Sequence, residues 1–205
     1  MGEIIKSDWR KRVHDDARLF KQLLLEKDLQ LDVDSLIPYS RWITPVQAPS
    51  RFDTRFYLST MPEELFEMTG KDICDGEETV SSVWVSPDEA IASFCDKKIL
   101  LAPPTYCILN NLCKYSNWKQ LVDEQVKISS QTDVFSTYIQ PSMINNKDGS
   151  IKAISGERTP KQLIVLPGDS LYSVDGIESK PVGINRLEIY GPYDYNLVQR
   201  RESKL

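Results

Sequence analysis

This chain lacks long apolar runs: a stretch such as Ile99 to Ala102 ends at Pro103 and Pro104, far short of the ~18 to 20 residues that span a bilayer. No membrane helix is expected. The N-terminal residues show no basic leader followed by an apolar core, and position 6 is Lys where a myristoylation motif wants Ser or Thr. Cysteine is scarce and unpatterned. Cys74, Cys95, Cys107 and Cys113 include no C-x-x-C pair, so neither a zinc site nor a disulfide framework is expected, and structural thiols in a reducing compartment are. There is no N-x-S/T sequon. The sole histidine, His14, has no neighbour spaced as a metal ligand and reads as an ordinary helix residue. A basic excess is missing too: 25 Lys and Arg against 30 Asp and Glu give a net charge of -5. Without a basic cluster there is no electrostatic footprint for a nucleic acid. No G-x-S-x-G elbow, P-loop, dinucleotide fingerprint or H-E-x-x-H occurs, which removes the sequence support for Ser/His hydrolases, P-loop nucleotidases, Rossmann enzymes and zincins.

What is present is ordinary globular composition, 40% apolar and 27% charged over 205 residues, enough for one domain with a real core. Trp9, Val13, Ala17, Phe20 and Leu24 recur at helical spacing, predicting one amphipathic helix from Ser7 to about Lys27 that buries a stripe. Arg41 to Thr44 and Thr54 to Thr60 predict two strands around a loop, and Val80 to Val85 a third. Ser86-Pro87-Asp88-Glu89 carries a capping box with proline at the first helical position, predicting a helix from Pro87 to about Phe94. Pro103-Pro104 opens another helix, and Asn117 to Val126 continues helically after a break. Beyond Lys127, short β-like runs at Val134 to Ile139, Leu163 to Leu166 and Ile184 to Tyr190 are separated by turn signals, Pro167-Gly168-Asp169 among them. The pattern predicts an α+β or mixed α/β fold.

Arg41 to Leu58 is the chemically dense stretch. Arg51 and Arg55 lie four apart around Asp53. Two readings stand side by side: the guanidiniums approach a phosphate, whose oxygens match their fork, or Asp53 pairs with an arginine to fix the loop.

Five segments in order, W-I-T-P from Trp42, R-F-D-T-R-F from Arg51, V-W-V-S-P-D-E-A from Val83, L-A-P-P-T from Leu101 and L-P-G-D-S-L-Y from Leu166, resemble the C-terminal two thirds of the peroxisomal coenzyme A diphosphatase branch of the Nudix hydrolases. The resemblance implies an αβα sandwich on a mixed sheet that hydrolyses the pyrophosphate of coenzyme A or its acyl esters, with magnesium or manganese as the cofactor. Such ions neutralise the phosphate charge and lower the pKa of a bound water.

The glutamate-rich box that holds those ions in Nudix enzymes, G-x5-E-x7-R-E-U-x-E-E-x-G-U with U aliphatic, is not found in these residues. In this branch the box lies upstream of W-x-T-P. The expectation is therefore an incomplete Nudix-like domain lacking its first strands and box helix, without its main metal ligands and with exposed apolar faces that favour self-association. The expected division is a Nudix-like portion over 1–126, a small β-rich appendage packed on it over 127–200, and an exposed tail over 201–205. By the resemblance, Trp42, Thr44, Arg51, Asp53 and Arg55 line or support the substrate side of the sheet, and Glu77 or Glu78 supplies a catalytic carboxylate. Ser203-Lys204-Leu205 reads as a peroxisomal address recognised by an import receptor. Coenzyme A or an acyl-coenzyme A is the expected partner, with no nucleic acid and no membrane. Two alternatives are a non-catalytic coenzyme A or nucleotide-binding regulator, and a hydrolase of another nucleoside diphosphate conjugate.

Overall fold

A computed structural model of the chain describes residues 2–61, 83–154, 158–175, 177 and 179–201. The chain divides into two compact units, 1–36 and 37–205. In the first, the periodic stretch forms two helices rather than one, α1 (Gly2–Asp15) and α2 (Leu19–Glu26). The break has a local cause. The Asp16 carboxylate accepts from the Arg18 backbone N–H at 3.0 Å and from its guanidinium at 2.8 and 2.9 Å, offering the backbone an alternative to the helical ladder. Helix α2 buries none of its residues, and Phe20 and Leu25 are exposed, so the expected buried stripe does not extend along it. Within α1 the Arg12 guanidinium stacks over the Trp9 ring, 3.7 Å from its centroid.

The second unit begins with an antiparallel hairpin of β1 (Ile37–Ile43) and β2 (Asp53–Leu58). Its register pairs Arg41 with Arg55, Trp42 with Thr54 and Ile43 with Asp53. Three helices follow among the described residues: α3 (Pro87–Cys95), α4 (Pro103–Leu112) and α5 (Trp118–Gln131). Each begins where the sequence signals it. Ser86 accepts from the Glu89 backbone while the Glu89 carboxylate receives the Ser86 N–H at 2.9 Å, the two reciprocal bonds of a capping box. Asn117 caps α5 by accepting from Lys119 N–H at 2.8 Å.

A four-stranded antiparallel sheet completes the unit, in spatial order β3 (Ser142–Asn145), β4 (Gln162–Val165), β5 (Gly183–Gly191) and β6 (Asp194–Arg201). The architecture is mixed α and β. In place of one mixed sheet, the described residues form two antiparallel sheets, with parallel pairing confined to the isolated bridges Trp42 to Ile139 and Asp169 to Gly183. The predicted strand at Val134 to Ile139 is replaced by a turn. Asp133 draws it together, its carboxylate accepting from Phe135 N–H and its carbonyl from Ser136 N–H and Oγ, and only Ile139 pairs with β1. Val83 to Val85 form no strand and are exposed; Val80 to Ser82 lie outside the described residues.

One core joins these parts. Trp42 from β1, Phe94 from α3, Tyr106 and Cys107 from α4, and Ile164 and Leu187 from the four-stranded sheet form a single buried cluster. The sheet beyond residue 127 is thus packed on the helices through its apolar face. Phe94 is fully buried, with ring centroids of Tyr195, Tyr106 and Tyr193 at 4.8, 5.3 and 6.0 Å, distances at which aromatic pairs attract beyond their area burial.

The turn at Pro167-Gly168-Asp169 is anchored more deeply than its sequence suggests. Gly168 takes φ +92°, a region L side chains rarely adopt, and a Cβ there would meet Val182 at 3.0 Å. Asp169, fully buried, accepts four hydrogen bonds: two from the Arg186 guanidinium at 2.8 Å, one from Leu171 N–H at 2.8 Å and one from Asn185 N–H at 2.7 Å. Among the described residues, no helix is long and apolar enough to cross a membrane.

Candidate functional site

Strand alternation sorts the residues of the chemically dense segment. Successive side chains point to opposite faces, so Trp42 and its cross-strand partner Thr54, with Phe56, share the face toward the core. Arg41, Asp53, Arg55 and Tyr57 share the other.

On the first face a cleft of about 420 Å³ opens between the hairpin, the start of α4 and the edge of the four-stranded sheet. The hairpin contributes Trp42, Thr44, Pro45, Thr54 and Phe56, and its loop adds Ala48 and Phe52. Helix α4 contributes Pro103, Pro104 and Thr105, with Ala102 at its N-cap, and the prolines fix the backbone and remove N–H donors. Pro141, Met143, Gln162 and Ile164 close the far wall. No charged side chain is among these described lining residues. Thr44 is held in the hairpin, its Oγ1 accepting from Phe52 N–H at 3.0 Å and its N–H donating to the Phe52 carbonyl at 3.0 Å.

On the second face the acid finds its partner across the hairpin. Arg41 donates to both Asp53 oxygens, at 2.7 and 2.6 Å, and its third nitrogen donates to the Phe135 carbonyl at 3.0 Å. These hydrogen bonds hold the Asp53 carboxyl below its ordinary pKa and raise that of Arg41. Arg55 lies over the Phe135 ring, 5.7 Å from its centroid, within cation–π range. Arg51 donates to the Thr44 carbonyl at 3.2 Å and ties the loop to the end of β1.

Of the candidate residues, then, Trp42 and Thr44 line the cleft together, whereas the side chains of Arg51, Asp53 and Arg55 do not. Asp53 takes the loop-fixing role, with Arg41 rather than Arg51 or Arg55 as its partner. Glu77 and Glu78, and Ser203, Lys204 and Leu205, lie outside the described residues. Sequence reasoning missed Arg41, although it sits where alternation places it on the Asp53 face. It also missed the cleft walls at Pro103-Pro104-Thr105, read only as a helix opener, and at Met143, whose four-residue strand is too short to show a period.

The profile of the NUDT19 Nudix domain matches residues 3–112, from α1 to the end of α4, and so takes in both the hairpin and the proline wall. The chain belongs to the NUDT19 Nudix domain family. Its relatives include the acyl-coenzyme A diphosphatase NUDT19 of Gallus gallus, 30% identical over 175 residues, and that of Homo sapiens, 28% identical over 173. Each alignment covers 82% of this chain and 40% of the relative. Putative nudix hydrolase 7 of Caenorhabditis elegans is 32% identical over 85 residues, covering 42% of this chain and 27% of that protein. The chain spans about 40% of the length of the NUDT19 relatives it matches. No solved structure matches it.

Nudix proteins generally use divalent metal ions, but the described residues do not fit one. No three of their His, Cys, Asp and Glu side chains gather as a metal site, and four of their carboxylates are already engaged. Asp53 is held by Arg41, Asp169 by Arg186 and two backbone amides, and Glu89 by its capping box. Glu188, fully buried, accepts from Ile154 N–H, Tyr190 Oη and Asn196 Nδ2 at 3.1, 2.7 and 3.2 Å.

Proposed function

We propose that this chain supplies the substrate side of a Nudix-type site and acts in hydrolysis of the pyrophosphate of coenzyme A or its acyl esters, giving an adenosine bisphosphate and a phosphopantetheine product. The observation that carries this reading is the convergence of two family segments, W-I-T-P and A-P-P-T, on one cleft. They lie almost sixty residues apart in sequence. The core brings Trp42 and α4 together, and the cavity left between the two segments gives one ligand access to both.

The reading takes magnesium or manganese as the cofactor of the reaction, with no ligand assigned among these residues, and Glu77 or Glu78 as the catalytic carboxylate. Arg51, Asp53 and Arg55 support the hairpin from behind the cleft. Ser203-Lys204-Leu205 belongs to the same reading as a peroxisomal address; a fluorescent protein extended by the last ten residues should enter peroxisomes, and one lacking the final three should remain outside. The catalytic part is tested with the purified chain against coenzyme A, an acyl-coenzyme A, ADP-ribose and NADH, in magnesium and then manganese. Preferential cleavage of the coenzyme A substrates, reduced at least tenfold in Glu77→Gln or Glu78→Gln, supports the proposal. Equal cleavage of all four would favour a general nucleoside diphosphate hydrolase.

A further inference from the structure

The described lining of the cleft is uncharged, although the proposed substrate is highly charged. A pyrophosphate moved into it would lose its hydration and gain no counter-charge, a cost of many kcal/mol for an unpaired anion. Its polar side chains, the Thr54 and Thr105 hydroxyls and the Trp42 indole N–H included, are neutral. Thr44 Oγ1 is already bonded to Phe52 N–H, and Gln162 Nε2 donates to Asn145 Oδ1 at 3.0 Å. The remaining wall, built chiefly from Trp42, Phe56, Met143 and Ile164 with the α4 prolines, gains free energy by covering hydrocarbon. At about 420 Å³ the space falls in the range of small-molecule pockets. Two walls are stiffened by proline and by the hairpin, and Met143 supplies an adaptable side chain.

We infer that this cleft binds the acyl chain of the substrate thioester, so that the chain distinguishes acyl-coenzyme A from free coenzyme A by hydrocarbon burial. The inference rests on the proposed function. It assigns the alkyl tail to Trp42, Phe56, Met143 and Ile164 and leaves the phosphates outside.

The test is calorimetric titration of the full chain, without added metal, with coenzyme A and its butyryl, hexanoyl, octanoyl and decanoyl thioesters. The expected result is an affinity that rises by up to about fourfold per methylene until the cleft is full. A measurable affinity that is flat across the series overturns the inference while leaving the function reading intact. The same acyl series on pantetheine, which lacks the nucleotide, reads the cleft independently: graded affinity there supports the inference even if no coenzyme A species binds, and failure of every pantetheine ester to bind in a graded way overturns it. Ala48→Trp, which adds bulk at a lining position without removing a core group, should flatten the chain-length slope in a protein whose thermal midpoint shows that it is folded. An unchanged slope would place the alkyl chain elsewhere.

Discussion

Replacing Asp169 by Asn is expected to destabilise the larger unit by about 3 to 5 kcal/mol, the cost of breaking a buried ion pair from one side. The magnitude follows from what the carboxylate holds. Its two oxygens accept four donors, all at 2.7 to 2.8 Å, and the side chains of Asp169 and Arg186 are 0% and 6% exposed. An amide keeps one acceptor oxygen and turns two donors on the others. The Arg186 guanidinium then remains buried without a counter-charge beside a backbone N–H that has lost its acceptor. For a chain of this size the loss corresponds to a fall in Tm of roughly 6 to 20 °C. Urea unfolding followed by tryptophan fluorescence measures it directly, and Asp169→Asn combined with Arg186→Met should cost less than the sum of the single changes. A loss under about 1 kcal/mol for Asp169→Asn would refute the view that this turn is an anchor.

Three further outcomes are expected. Phe94→Ala, removing a fully buried ring packed on three tyrosines, should cost about 3 to 5 kcal/mol in the same unfolding assay. Because Arg41 lowers the Asp53 pKa in the folded chain, the pair stabilises above the ordinary carboxylate pKa of about 3.9 and that contribution is lost as pH falls through the lowered value. The stability difference between the parent chain and Asp53→Asn should therefore shrink toward zero at low pH and stay level from pH 5 to 8. Burial pushes the Cys107 thiol up to about 12, so mass spectrometry after native alkylation at pH 8 should find Cys95 and Cys113, both exposed, labelled before Cys107.

Local chemistry made much of the fold legible. Capping residues and prolines marked the starts of α3, α4 and α5, because those signals act within one helical turn. The Ser7 to Lys27 periodicity could not show the break at Asp16, which depends on one carboxylate turning back onto Arg18. Val134 to Ile139 has β propensity, yet Asp133 closes a turn there, a local hydrogen-bond pattern overriding a weak preference. Strand β6 went unnoticed because Asp194 to Arg201 is rich in polar residues and finds its place only by pairing with β5. At the site, residue types marked the hairpin, but which arginine meets Asp53 is a matter of register. The cleft itself joins segments more than a hundred residues apart, from Trp42 to Ile164, and no spacing in the sequence encodes that meeting.

The most direct measurement of the central claim is the initial rate at which the purified chain releases adenosine bisphosphate from decanoyl-coenzyme A in magnesium, with and without EDTA. Release that EDTA abolishes is expected. Absence of the nucleotide product in magnesium and in manganese would contradict it.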